Sequence, residues 1–153
     1  MPAFHPGHSW SSLIPEVDAI PGQTRHALRI LIADDSEMIR KSMIAILRSR
    51  PAWEVCGESP DGADAVHKAI NLRPDVVLLD ISMPRKNGLE AARMIRQELP
   101  KVKILIVSLN DAAFTLPSAL AAGANGCIGK DRLTTDLVAA IEAFGLDRTQ
   151  GAF

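Results

Sequence analysis

The sequence predicts an α/β fold, a doubly wound five-stranded parallel sheet, and three observations carry this. From Leu28 onward, short apolar runs alternate with amphipathic stretches, the rhythm of repeating βα units. The middle runs, 76–79 and 104–107, are dense in Val, Ile and Leu, as strands covered on both faces must be. Finally, 153 residues with 47% hydrophobic and 23% charged side chains match one folded domain. A chain of that size buries about two thirds of its unfolded surface.

The first strand is read at Leu28–Ala33. Ile39, Met43, Ile46 and Leu47 then recur at helical spacing, which predicts a helix from near Ser36 that Pro51 stops. The second strand is expected at 53–58. A helix over 63–72 follows, with Asp61 as its cap and Pro74 beyond its end. The third strand is expected at 75–79 and the third helix at 89–99, closed by Pro100. After a fourth strand at Lys103–Ser108, residues 111–122 predict a fourth helix containing Pro117. An interior proline costs up to ~3 kcal/mol, so this helix is expected to be short or frayed. A fifth strand at Gly126–Gly129 leads to a helix over 134–144, striped by Leu137, Val138, Ile141 and Phe144.

Residues 1–26 hold four of the ten prolines, three of the four histidines and little apolar periodicity, so they are read as a flexible extension. An alternative has Trp10, Leu13, Ile14 and Val17 docking on a surface groove. His5 and His8 lack the companions of a metal site. The domain is placed at 27–146, with a tail at 147–153. Seventeen basic against eighteen acidic residues leave a net charge of −1, which argues against direct nucleic-acid binding by this chain. No apolar run approaches the ~18–20 residues of a membrane span, and the start lacks signal-peptide character, so a cytoplasmic location is expected. Cys56 and Cys127 are expected to be reduced, small hydrophobes in or near strands.

Functional groups in such a sheet gather beyond the carboxyl ends of the strands. There the first strand delivers Asp34 and Asp35, the third Asp80, the fourth Ser108 and the fifth Lys130. With strand order 2-1-3-4-5 these groups converge. Each alone is ordinary, since an Asp pair after a strand is commonly a turn or a helix cap. Three clustered carboxylates, however, repel by ~1 kcal/mol per pair in water and ~4 kcal/mol at an effective dielectric of 20. They call for a hard divalent cation, Mg²⁺ first among candidates. Carboxylates, Mg²⁺, a lysine and a hydroxyl together suggest phosphoryl chemistry with a carboxylate nucleophile.

These residues resemble the receiver domains of two-component response regulators over roughly 28–144. The resemblance rests on Leu31-Ile32-Ala33-Asp34-Asp35, on Val77-Leu78-Leu79-Asp80-Ile81-Ser82-Met83-Pro84 followed by Gly88, on Ile106-Val107-Ser108, and on Gly123-Ala124-Asn125-Gly126-Cys127-Ile128-Gly129-Lys130. The third and fifth segments are similar to the NarL/FixJ-like branch, whose members usually add a helix-turn-helix. The resemblance implies a flavodoxin-like (βα)5 fold and Asp80 as phosphoacceptor. It implies Mg²⁺ held by Asp35, by Asp34 through water, by Asp80 and by the Ser82 backbone carbonyl. Ser108 matches the switch hydroxyl and Lys130 the phosphoryl-pairing lysine. Pro84 and Gly88 shape the loop, and Ser82 and Asn110 tune acyl-phosphate lifetime. The implied partner is a sensor histidine kinase or phosphotransfer protein, and a homodimer is compatible with this reading. Met38 and Lys41, near the start of the first helix, are candidate kinase contacts, with a partly buried core position as the alternative for Met38. Such a domain is not a conventional enzyme but catalyses its own aspartyl phosphorylation and autodephosphorylation.

Three departures stand out. Cys127 replaces the Tyr or Phe usual in the fifth strand, Pro117 interrupts the fourth helix, and Asp131 follows Lys130 where many receivers have proline. No cis peptide is therefore expected at that bond, and Asp131 is expected to cap a helix. The chain stops at Phe153, which predicts a receiver without an output domain, whether by nature or by truncation. One rival is a phosphatase of the haloacid dehalogenase type, but Ser82 stands where such enzymes carry a second Asp. Another is a phosphorylation-independent pseudo-receiver that acts as an interaction module.

Overall fold

A computed structural model describes residues 27–146; the expectations for 1–26 and 147–153 lie outside the described residues. Five strands, β1 (Leu28–Ala33), β2 (Trp53–Ser59), β3 (Val76–Asp80), β4 (Lys103–Ser108) and β5 (Gly126–Gly129), alternate with five helices. These are α1 (Glu37–Leu47), α2 (Gly62–Leu72), α3 (Gly88–Glu98), α4 (Ala112–Ala121) and α5 (Leu133–Glu142). The sheet order is β2-β1-β3-β4-β5 and every pairing is parallel, as expected.

Period-two alternation in the strands feeds two cores. On one face Leu31, Ala33, Val77, Leu79, Ile104 and Ile106 meet Ile95 and the alanines Ala65, Ala69, Ala91 and Ala92, whose small side chains let α2 and α3 approach closely. On the other, Ile30, Ile32, Val76, Leu78, Leu105 and Val107 meet Met43, Leu47, Leu137 and Ile141 of α1 and α5. Each fully buried Leu or Ile contributes roughly 1.5–3 kcal/mol.

Caps set the helix starts. The Ser36 hydroxyl accepts from the Ile39 amide at 3.2 Å, and the Asp61 carboxylate accepts from the Asp64 amide at 2.8 Å, as expected of it. Asn87 and Glu90 form a reciprocal capping box at the start of α3. α1 ends at Leu47, before Pro51, and Ser49 turns back to bond the Ile46 carbonyl through its hydroxyl at 2.8 Å.

Two expectations are corrected. α4 is neither short nor frayed: it runs for ten residues, like α5, with Pro117 as its sixth. Pro117 and Ala113, whose carbonyl loses its helical donor, both face solvent, so water can satisfy that carbonyl. Asp131 caps nothing, because it lies inside a 3₁₀ turn over Lys130–Arg132 and α5 begins without a side-chain cap bond. No peptide bond among the described residues is cis. Both cysteines are free and half-buried, and burial pushes both thiols up. Cys56 is the extra residue of a bulge, since Ile30 pairs with Val55 and Leu31 with Gly57.

Candidate functional site

The carboxyl edge of the sheet gathers what the sequence placed there. Asp34 follows β1 and is fully buried, and three main-chain or loop contacts fix it. Its amide donates to the Ser59 carbonyl at 2.9 Å. Its Oδ1 accepts from the Ser36 amide at 2.8 Å, and its carbonyl accepts from an Arg40 Nη at 2.6 Å. Arg40 is held in turn by Glu58, Nε to Oε1 at 3.0 Å. Asp80 ends β3 and is 3% exposed. Lys130, just past β5, lies between these two acids, with Nζ 2.8 Å from Asp34 Oδ2 and 3.2 Å from Asp80 Oδ1.

Burial and the neighbouring Asp34 charge raise Asp80 above the usual carboxylate range, while Lys130 and the Ser82 amide pull it back. Burial alone would lower Lys130, yet its bonds and attraction to Asp34 and Asp80 win and raise it. The lysine is therefore a fixed cation at neutral pH.

Asp35 is exposed and contributes the third carboxylate: one oxygen each from Asp34, Asp35 and Asp80 lies within 4.8 Å of the others. Lys130 offsets one of these three charges. Asp34 Oδ2 is buried and faces the Lys130 ammonium at 2.8 Å. An anionic all-oxygen donor set with more carboxylates than the one lysine offsets fits a hard divalent cation such as Mg²⁺. Ser82, in the loop beyond Asp80, is exposed.

That loop is pinned by backbone. The Gly88 amide donates to the Ile81 carbonyl at 2.8 Å, and a Cβ on Gly88 would meet the Asp80 carbonyl oxygen at 2.0 Å. A Cβ on Gly62 would meet the Lys86 carbonyl oxygen at 1.8 Å, so α2 seats directly on the same loop. Gly88 thus shapes the loop as expected, and at Pro84 the chain turns, its carbonyl accepting from the Lys86 amide at 2.8 Å.

Ser108 ends β4 and is 2% exposed. Its Oγ accepts from the Asn110 amide at 3.0 Å and lies 3.4 Å from Thr115 Oγ1 in α4. Sequence reasoning missed Thr115, Arg40 and Gly62. A lone hydroxyl on the apolar inner face of α4 and an arginine four residues after a cap were the available signals. Met38 and Lys41 lie on the outer face of α1. Met38 is 76% exposed, and Lys41 pairs with Glu37 at 3.2 Å.

An open sheet of flavodoxin-like topology, carrying a lysine-bridged acidic cluster at its carboxyl edge, defines the class: a doubly wound α/β signalling domain rather than a dinucleotide-binding one, which would need a glycine-rich first turn where Asp34-Asp35-Ser36 stands. The chain belongs to the response regulator receiver domain family, which matches residues 30–142. It is a receiver domain of the two-component type. The transcriptional regulatory protein DegU of Brevibacillus brevis is 36% identical over 126 residues, covering 82% of this chain and 52% of that protein. A protein-glutamate methylesterase/protein-glutamine glutaminase of Pyrococcus abyssi is 45% identical over 86 residues, covering 56% of this chain and 23% of that one. The chain thus spans about half, or less, of the length of these relatives. Among solved structures, the signal receiver domain of NarL from Mycobacterium tuberculosis superposes with a TM-score of 0.72 at 32% identity, covering 78% of this chain and 96% of that one. The response regulator domain of Thermotoga maritima CheB gives 0.69 at 32% identity, covering 80% and 97%.

Proposed function

We propose that this receiver accepts a phosphoryl group on Asp80 from a phosphohistidine of a sensor histidine kinase or phosphotransfer protein. A carboxylate oxygen of Asp80 attacks phosphorus, the P–N bond breaks and the histidine leaves, giving an acyl phosphate that water later hydrolyses. Asp34, Asp35, Asp80 and the Ser82 carbonyl would hold Mg²⁺. When bound, that ion neutralises charge on the phosphoryl oxygens. Lys130, already between Asp34 and Asp80, keeps Asp80 ionised and pairs with the incoming oxygens. Ser108 donates its hydroxyl to the phosphoryl group, and the exposed Asn110 and Ser82 set the access of hydrolytic water. Met38 and Lys41, exposed beside the site, contact the donor protein. The protein works in the cytoplasm and passes the signal by protein contacts.

The observation that carries this reading is the bridging of two buried carboxylates by Lys130, with the exposed Asp35 completing an oxygen cluster. A structural ion pair does not need the third acid. That completeness also disfavours a phosphorylation-independent module. The test is incubation with acetyl phosphate and Mg²⁺ followed by intact-mass measurement. The expected result is one added phosphoryl group, absent with EDTA and in Asp80→Asn. Labelling that persists in Asp80→Asn would overturn the assignment of the acceptor.

A further inference from the structure

We propose that Thr115 is a positioning residue that holds the Ser108 hydroxyl away from the phosphoryl site until the acyl phosphate forms. The inference deepens the phosphoryl-acceptance reading and rests on it. It comes from counting protons. Thr115 is buried in α4, and its single hydroxyl proton is donated to the Asp111 carbonyl at 3.2 Å. The geometry of the Ser108–Thr115 pair at 3.4 Å allows either hydroxyl to donate, and with the Thr115 proton committed to Asp111 we assign Ser108 as the donor and Thr115 Oγ1 as the acceptor. The Asn110 amide, donating to Ser108 Oγ at 3.0 Å, occupies the acceptor side of the same hydroxyl. Ser108 has one proton to give, and in this state it is given to α4.

A phosphoryl group on Asp80 needs that proton. A bond to its charged oxygens is roughly twice as strong as one between two neutral hydroxyls, so Ser108 turns from Thr115 to the phosphoryl group. Two consequences follow. Activation includes the cost of breaking the Ser108–Thr115 bond, so Thr115 opposes phosphorylation. The broken bond also reports the event to α4, whose buried residues are Thr115 and Ala119 and whose Asp111 cap position makes no side-chain bond to the helix. Signal can then reach α4 through a hydroxyl pair in a chain that has Cys127, not an aromatic ring, in β5.

The experiment compares initial rates of phosphorylation by subsaturating acetyl phosphate with Mg²⁺ for the full chain, Thr115→Val, Thr115→Ser, Ser108→Ala and the Ser108→Ala/Thr115→Val double variant. Valine keeps the shape of threonine, and the Asp111 carbonyl still accepts from the Phe114 and Thr115 amides. Thr115→Ala is run alongside in case valine disturbs packing, with thermal melts to confirm folding. The expected result is a rate about two- to fivefold above wild type in Thr115→Val, the modest gain that fits one long hydrogen bond. Thr115→Ser should match wild type, and the gain should vanish when Ser108 is already alanine. A rate unchanged or lowered by Thr115→Val, a gain that survives in the double variant, or Thr115→Ser behaving like Thr115→Val would each overturn the proposal while leaving Asp80 as acceptor. Absence of labelling in the wild-type chain would instead overturn the phosphoryl-acceptance reading, and this inference with it.

Discussion

Replacing Lys130 by methionine keeps the length of the stem and removes the charge between two buried acids. Without it, oxygens of Asp34 and Asp80 within 4.8 Å of each other repel by about 3.5 kcal/mol at an effective dielectric near 20. Protonation limits that penalty. Forcing a proton onto a carboxylate of unfolded pKa ~3.9 costs about 4 kcal/mol at pH 7 but only about 1.5 kcal/mol at pH 5. Asp80, already raised by burial and by Asp34, is the group that takes the proton. The variant should therefore lose about 3 kcal/mol at pH 7 in EDTA and no more than about 1.5 kcal/mol at pH 5. Urea unfolding checks this, with a midpoint shift of roughly 1.5 M at pH 7 for a slope near 2 kcal/mol/M. Mg²⁺ should stabilise the variant more than the wild type, because the cation replaces the missing ammonium. The wild-type sign is opposite: Lys130, raised in the fold, stabilises fully below its unfolded pKa and loses that contribution only as pH rises through its folded value. An equal loss at pH 5 and pH 7, unaffected by Mg²⁺, would mean that the stem's packing and not its charge holds the site, and would refute the reasoning.

Two further outcomes test the scaffold. Arg96 donates to the carbonyls of Gly123, Pro100 and Val102 at 2.7–2.9 Å and to Asn125 Oδ1 at 2.7 Å. Arg96→Met should cost about 2 kcal/mol in urea unfolding, as partly buried acceptors lose a charged donor. Pro117→Ala should stabilise by about 1–2 kcal/mol, seen as a melting temperature about 3–6 °C higher, because it restores a helical amide donor and loses only the proline's restriction of the unfolded chain.

The fold was legible because its central strands, β3 and β4, are apolar on both faces and its first three helices carry caps that chemistry makes recognisable. Ser36 and Asp61 could be read as helix-start signals, and the structure shows both bonding the amide three residues on. The convergence of Asp34, Asp35, Asp80 and Lys130 followed from where strands end, as did the place of Ser108 at the end of β4. What could not be read is anything set by a tertiary partner. Arg40 looks like an ordinary helix-surface cation until Asp34's carbonyl and Glu58 are seen beside it. Gly62 reads as a helix-start residue until Lys86 closes against it. Asp131 had the chemistry of a cap, but the chain tightens into a 3₁₀ turn there and α5 starts two residues later without a side-chain cap bond.

Local rules fail most densely in α4. It holds a proline at its sixth position, makes no side-chain bond at its N-cap, buries a hydroxyl, and leaves Phe114 78% and Leu120 51% exposed. By contrast α1, α2 and α3 each start on a side-chain cap and bury a regular apolar stripe. A lost cap costs about 1 kcal/mol and an interior proline up to about 3 kcal/mol, so α4 is held to the sheet by a smaller margin than its neighbours. Its few buried groups include Thr115, which touches Ser108. A change of one hydrogen bond is small against a well-capped, deeply packed helix but large against a margin of that size. The conflicts that make α4 a poor helix by sequence thus also make it, on the proposed phosphorylation of Asp80, the helix whose position the turning of Ser108 would alter.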